Sequence, residues 1–439
     1  MTRRQDDWLP RSKGVAAGKA AVVAVLDIGS IKITCVIARL KPQGKEQEAR
    51  SHAIEVLGVG HQRATGMKRG AIVDMEATER SIRLAVDAAE RMAGVTVASV
   101  IVNLGAGRLN SQNFSACVDV VGPEVKEGDV RRGLEAGRAH SIQSSRVALH
   151  ALPIAFSLDG AGGIRDPRGM AGHELGVDMH LVTAEAAPAR NLVLCVERCH
   201  LTVEAVVASP YAAGLGAMVG DESELGSAVI DMGGGTTTYG IFAHGRFVYS
   251  DGVAIGGHHI TMDLARGLST SLEAAERIKT LYGSALGAGS FHGDGISVPL
   301  VGEVEGAGGS HLVSRAQITE IVRPRVEEIL ELLRERFRAT PFSGLAGGRA
   351  VLTGGASQLP GMVELAERIL GLKIRIGRPV GVKNLPDAAK GPAFAVTAGL
   401  LAYPLVANVE HHRRGAGGAH AGTSGGYLAR VGNWIRESF

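Results

Sequence analysis

Residues 21–28 read Ala-Val-Val-Ala-Val-Leu-Asp-Ile, an apolar and largely β-branched run that predicts a strand. Gly29-Ser30 supplies a turn and residues 33–40 a returning strand, so the pattern opens on a hairpin. A third strand is expected over residues 55–60. Residues 74–92 carry Ile82, Leu84, Val86, Ala89 and Met92 at helical spacing. A strand is expected at 97–104, then mixed structure to 177 with a helix near 130–140 and a Gly/Pro-rich loop at 159–172. A strand at 177–184, a helix at 188–199 and a strand at 203–208 follow. The pattern then restarts, with a strand at 227–232, a turn at 233–236, and strands at 238–243 and 246–249. Strand, Asp-x-Gly, turn, strand thus occurs twice, which predicts an internal duplication of a ββ-plus-helix unit. Helices are expected at 257–268, 272–282 and 326–337, the last with Pro324 in its first turn. A strand at 349–352 runs into Thr353-Gly354-Gly355, and the folded part is expected to end near 407.

A length of 439 residues leaves room for two to four domains, each with a real core. Hydrophobic residues at 45% and charged residues at 21% are ordinary for a globular chain. A net charge of +3 is too small to argue for a nucleic-acid partner. Cys35, Cys117, Cys195 and Cys199 show no disulfide framework, which points to a reducing compartment. Cys195 and Cys199 share helical spacing with Leu192, Val193 and Val196, so core packing accounts for them better than a metal site. Residues 1–19 hold Arg3, Arg4, Arg11, Lys13 and Lys19, but the apolar stretch after them contains Asp27 and Lys32. A disordered basic leader is expected there rather than a signal peptide. No run of 18 apolar residues occurs, so no spanning helix is expected.

Three Gly-rich turns carry the candidate chemistry: Leu26-Asp27-Ile28-Gly29-Ser30-Ile31-Lys32, Asp231-Met232-Gly233-Gly234-Gly235-Thr236-Thr237 and Leu352-Thr353-Gly354-Gly355-Ala356. A turn without side chains lets backbone N–H groups converge on phosphate oxygens. Ser30 and Thr236 add hydroxyl donors, and Lys32 adds a point charge. Asp27 and Asp231, facing each other across a cleft, would orient a hydrated Mg²⁺. Gly354, Gly355 and Ala356 would let a nucleoside lie flat on the backbone.

These turns resemble the phosphate-1, phosphate-2 and adenosine motifs of the actin/Hsp70/sugar-kinase ATPases. Within them the chain resembles the FtsA family of bacterial division proteins, over residues 22–407 and again at the end. Gly58-Val59-Gly60, the 69–74 stretch Arg-Gly-Ala-Ile-Val-Asp, the 196–199 stretch Val-Glu-Arg-Cys and the second and third turns carry that likeness. The resemblance implies an α/β, actin-like fold: a duplicated RNase H-like, two-lobed ATPase with an inserted 1C subdomain and a C-terminal amphipathic helix. It places subdomain 1A at 20–97 and 178–209, 1C at 98–177, 2A at 210–257 and 346–407, and 2B at 258–345. It implies ATP and Mg²⁺ as cofactors, with Glu276 on the ribose and Lys279 near the base or ribose; read without the family, those two are a solvated helix pair. Family members tether filaments of the tubulin-like FtsZ to the cytoplasmic face of the inner membrane at the division septum. They bind the FtsZ C-terminal peptide through 2B, self-associate head to tail, and contact later division proteins through 1C. Arg315, Arg323 and Arg325 are the matching candidates for the FtsZ tail. On the connecting strand at 203–208 only Glu204 is polar, so hydrolysis is expected to be slow at most.

Residues 408–426 form a Gly-rich linker, expected to behave as a flexible coil. After it, at helical spacing, Tyr427, Leu428, Val431, Trp434, Ile435 and Phe439 share one face flanked by Arg430 and Arg436. Such a helix suits a bilayer interface, and the family's membrane-targeting tail matches it; docking on the protein's own core is the alternative. A pilus-assembly actin homologue and a sugar or acetate kinase share the fold expectation. The first normally lacks the tethered helix, and the second needs a catalytic carboxylate for which no candidate stands out.

Overall fold

The computed structural model describes residues 8–10, 14–15, 18–43, 52–105, 109–138, 142–286, 295–302 and 309–407. The meander β1 (Ala21–Ile28), β2 (Lys32–Pro42) and β3 (His52–Arg63) is antiparallel. Ile33 to Ala38 are buried without a break, which marks a sheet covered on both faces. Helix α1 (Met75–Ala93) starts at Asp74, whose carboxylate accepts from the Ala77 N–H, and stops at Gly94 in the left-handed region. β4 (Ser99–Leu104) then returns parallel to β1, with Val25 opposite Ile101.

The chain next leaves for an inserted unit: β5 (Asn110–Asp119), α2 (Glu127–Arg138), β6 (Arg146–Leu158), β7 (Ala161–Ile164) and β8 (Glu174–Glu185). Its sheet runs β5-β8-β6-β7, and its small core gathers Val130 and Leu134 of α2 on Leu175, Val177 and Met179 of β8. α3 (Ala186–Arg198) and β9 (Thr202–Ala208) return to the first sheet, where β9 lies parallel to β4.

Crossing helix α4 (Ser209–Ala217) leads to β10 (Ser227–Met232), β11 (Thr237–Ala243) and β12 (Arg246–Val253). Then come α5 (Gly257–Gly267), α6 (Leu272–Tyr282), α7 (Arg315–Ala339), β13 (Arg349–Thr353), α8 (Met362–Leu370), β14 (Lys373–Ile376) and α9 (Ala395–Val406). The second sheet runs β12-β11-β10-β13-β14 and the first β3-β2-β1-β4-β9, with a short strand at Val382–Lys383 beyond β3. The order is the same in both: a three-strand meander, then two parallel strands on its first strand. The duplication expected from the two Asp-x-Gly turns is therefore a duplication of topology.

Several elements sit differently from expectation. β4 belongs to the first sheet rather than to the inserted unit, and β8 belongs wholly to the insert, so neither residue 98 nor residue 177 divides the sheets. Residues 382–383 pair with β3, and α9 packs in the first core with Val25, Ile37 and Tyr211, so the end of the 346–407 segment lies against the first lobe. The described part of the leader is packed against the first lobe. Leu9 is 7% exposed, the Trp8 ring lies 5.3 Å from the Arg190 guanidinium, and Val15 N donates to Pro404 O at 3.0 Å. α7 begins nine residues before Pro324, after a capping box of Ser314 and Gln317, and Pro324 sits inside it. The 159–172 loop contains β7.

Candidate functional site

Each half of the duplication ends its first strand in the same way. Asp27 pairs with Thr34 and Asp231 with Thr238, each carboxylate one residue from the strand end. Gly29 N donates to Lys32 O at 3.0 Å, and Gly233 N donates to Thr236 O at 2.9 Å, so both turns close in the same way. The turns interlock. A Cβ added to Gly234 would land in the Ile31 side chain, and one on Gly235 would meet the Ser30 hydroxyl. The third turn reaches the same place: Gly354 has φ +85°, and a Cβ there would come 2.5 Å from Asp231 Oδ1.

Between them lies a cavity of about 430 Å³. Asp27, Gly29, Ser30, Lys32, Asp231, Gly233, Gly234, Gly235, Thr236, Gly354, Gly355 and Ala356 all line it, as do Glu276 and Lys279. The last two are not a free surface pair. Lys279 Nζ lies 2.7 Å from Glu276 Oε2 and donates to Thr261 Oγ1 at 3.0 Å and to Gly257 O at 3.2 Å, which ties α6 to the start of α5.

Sequence reasoning missed Asn103, Ser209 and His258 among the lining residues. Asn103 Oδ1 accepts from Ile28 N at 2.7 Å, and its Nδ2 donates to Ser209 Oγ at 3.1 Å, so it braces the first turn from the neighbouring strand. Its signal was present: it is the one polar residue in the run Val-Ile-Val-Asn-Leu. Glu204, weighed as the polar residue of the connecting strand, is exposed and accepts from the Ser99 hydroxyl at the far end of β9, so it has no part in the cavity.

The electrostatics are those of a crowded acid pair. Burial raises Asp27 above the usual carboxylate range, against the pull of Lys32, Thr397 and Asn103. Asp231 is pushed up to about 7, by burial first and by Asp27 second. Burial also lowers Lys32, which the two carboxylates oppose. Two carboxylates share one lysine, so the site has an unmet demand for positive charge. Among the described residues no three acidic, His or Cys side chains cluster as a full ligand set. A metal here would take two carboxylates and fill its shell with water and phosphate oxygens, which is the habit of Mg²⁺. The glycine turns that line the same cavity are a source of backbone N–H groups. The residues present therefore fit a magnesium–polyphosphate ligand.

The family model for "Cell division protein FtsA" matches residues 228–399, and that for the "SHS2 domain inserted in FTSA" matches 106–183. A cell division protein FtsA from Rhizobium meliloti (strain 1021) is 53% identical over 433 residues, 98% of each chain. The chain belongs to the FtsA family. Its FtsA relative in Pseudomonas aeruginosa is 32% identical across 97% of this chain and 99% of that one; the one in Escherichia coli K12 is 28% identical across 97% and 100%. Among solved structures, a PilM-PilN type IV pilus biogenesis complex aligns with TM-score 0.57 at 17% identity, covering 87% of this chain and 98% of that one. MreB5 of Spiroplasma citri bound to ADP aligns with TM-score 0.51 at 16% identity, covering 88% and 97%. Those two likenesses establish the actin-like fold; membership of the FtsA family sets aside the pilus-assembly and kinase readings.

For an FtsA-family chain, the three arginines expected at the FtsZ tail differ in freedom. Arg325 is committed to Asp263, with Nη2 3.2 Å from Oδ1, and to Glu328. Arg323 Nε lies 2.8 Å from Glu327 Oε1. Arg315 is exposed and lies over the Tyr282 ring at 5.5 Å. Leu428, Val431, Trp434, Ile435 and Phe439 lie outside the described residues, as does the linker. No helix among the described residues is long and apolar enough to cross a membrane.

Proposed function

We propose that this FtsA-family chain binds Mg-ATP in the cavity between its lobes and uses it to govern head-to-tail self-association while it links FtsZ filaments to the cytoplasmic face of the inner membrane at the septum. The observation that carries the reading is the interlocking of the two glycine turns with Asp27 and Asp231 electrostatically coupled at their base. The backbone N–H groups of both turns take the phosphates, and Ser30 and Thr236 add donors. Lys32 supplies one positive charge, and the two carboxylates hold waters of the magnesium shell. The Mg²⁺ of a bound Mg-ATP would supply the positive charge that relieves the acid pair. Glu276, Lys279 and the 354–356 turn take the nucleoside. Asn103 is bonded to the Ile28 N–H and to Ser209, so these two brace the first turn rather than act on water, in keeping with slow hydrolysis at most.

The same reading gives the 258–345 subdomain the FtsZ C-terminal peptide, with Arg315 as the first contact because Arg323 and Arg325 would have to exchange an internal carboxylate for the peptide's. It gives the inserted unit the later division proteins, and residues 427–439 the lipid. Co-sedimentation with anionic vesicles tests the whole. The full chain should pellet with vesicles and carry an FtsZ-tail peptide with it, Mg-ATP should increase the amount, and a chain lacking 427–439 should stay in solution while still binding ATP. A truncated chain that pellets equally would defeat the membrane reading.

A further inference from the structure

The two charged groups of the first turn are oriented by a segment far along the chain. Residues 391–397 lead from the second lobe into the first turn of α9. At one end, Pro392 O accepts from Gly354 N at 3.3 Å and from Thr353 Oγ1 at 3.0 Å, both on the turn expected to carry the nucleoside. One residue on, Ala393 O accepts from Lys32 Nζ at 2.9 Å, and the Phe394 ring lies under the same ammonium, 3.4 Å from its centroid. Three residues further, Thr397 Oγ1 donates to Asp27 Oδ2 at 3.0 Å. Among the described residues, the Lys32 ammonium donates no hydrogen bond other than the one to Ala393. Thr397 is 2% exposed and Phe394 9%, so neither faces solvent.

The physical consequence is orientation. An aspartate on a strand end can swing about χ1 and χ2, and a lysine has four rotatable bonds. A hydroxyl donor to one carboxylate oxygen fixes the rotation of a carboxylate whose residue lines the cavity. An aromatic face and a carbonyl together confine the ammonium where it can meet phosphate. Because the same segment is bonded to Thr353 and Gly354, a displacement of the nucleoside turn moves the partners of Asp27 and Lys32 with it.

We propose that Thr397 and Phe394 are positioning residues of the nucleotide site: Thr397 aims Asp27 at the hydrated cation, Phe394 aims Lys32 at the phosphates, and residues 391–397 make both settings depend on how the nucleoside sits on the 353–356 turn. The inference rests on the Mg-ATP reading above and adds residues that neither touch nucleotide nor belong to the glycine turns.

The test uses the full chain carrying Thr397→Val, Thr397→Ser or Phe394→Leu, with ATP affinity measured by calorimetry in Mg²⁺ and in EDTA. Val fills the same buried volume without the hydroxyl, and Ser keeps the hydroxyl. Thr397→Val should weaken Mg-ATP binding roughly tenfold, the scale of one hydrogen bond to a charged group. It should raise the Mg²⁺ concentration needed for half-maximal binding and leave affinity in EDTA unchanged, and Thr397→Ser should restore the wild-type values. Phe394→Leu should weaken binding to a similar degree with and without Mg²⁺. A Thr397→Val chain with wild-type affinity and Mg²⁺ dependence overturns the inference. So does a loss that is equal in EDTA, or one that Thr397→Ser shares, because either is a structural effect. If the wild-type chain binds no ATP, the reading of the cavity falls and this inference with it; if the wild type binds and the variants match it, only this inference falls.

Discussion

Asp231 and His180 titrate in opposite senses, and each leaves its own mark on stability. Asp231 in the folded chain is held near 7, above the ordinary 3.8, so it keeps a proton that the unfolded chain releases. Its contribution is complete below about pH 4 and is lost as pH rises through 7. His180, buried between the insert and β12, is pushed down to about 3 from 6.5. Its contribution is complete above pH 6.5 and is lost as pH falls toward 3. Between pH 4 and 6.5 the two slopes oppose, so a variant is needed to separate them. Asp231→Asn removes the buried charge and not the hydrogen-bonding shape. Without nucleotide or Mg²⁺ it should be more stable than the parent at pH 8 by roughly 1–2 kcal/mol, a shift well below the full titration value because the cavity admits water. The advantage should vanish near pH 4. Thermal melts of both chains from pH 4 to 8 decide it, and an offset that stays constant across that range would show that repacking, not titration, is responsible.

At the scale of elements, the lobes join where α4 crosses α9. A Cβ added to Gly216 would strike Ala395 O, and one on Gly399 would strike Ala212 O, so the helix backbones touch at their glycines. Gly399→Ala has nowhere to put its methyl except into a carbonyl. It should cost about 3 kcal/mol or more, seen as a large drop in melting temperature together with weakened ATP binding, since α4 begins at Ser209 in the cavity. A variant melting within a degree of the parent would mean that the crossing is loose. These helices also mark the limit of what the sequence discloses. The Gly-rich turns are local signals: an Asp one residue from a strand end, then glycines, appears twice and is legible before any fold is known. α4 and α9 have no polar face, with Ala212, Ala213, Ala217, Ala398, Leu400 and Leu401 all buried, so they lack the 3.6-residue alternation that reveals a helix. Asn103, Ser209, Phe394 and Thr397 enter the site only through tertiary placement. The first half of α7 was hidden by Pro324, which reads as a helix start, although Ser314 and Gln317 form a capping box that the sequence does contain.

At the scale of the whole molecule, the inserted unit is bolted to both lobes. His150 Nε2 accepts from Ala208 N at 2.9 Å, next to the residue that starts α4. On the other side, three residues of its β5 and β8 satisfy the edge strand β12 of the second sheet. Asn113 Nδ2 donates to Val248 O at 2.9 Å, His180 Nδ1 donates to Phe247 O at 2.8 Å, and Ser111 Oγ accepts from Ser250 N at 2.7 Å. The Ser111 hydroxyl lies 2.8 Å from both Ser250 O and His180 Nε2 and has one proton for the two. An edge strand exposes unpaired backbone groups, and here side chains rather than another strand cover them. The seam combines these polar contacts, which a shear can break one at a time, with packing of Ile154 on the second core and of the His180 ring on Phe247. Any rotation of the second lobe must carry the insert along or break these bonds. The double variant Ser111→Ala, Asn113→Ala removes two side chains from β5 and leaves the Val248 and Ser250 backbone groups short of partners. It should cost roughly 2 kcal/mol in total, with the chain still folded. Amide exchange should rise in β12 and in β5 together, while β10 and β13, in the middle of the same sheet, keep their protection. Should β12 keep its parental exchange rates while β5 loosens, the insert would be riding on the first lobe alone, and the second lobe could turn without it.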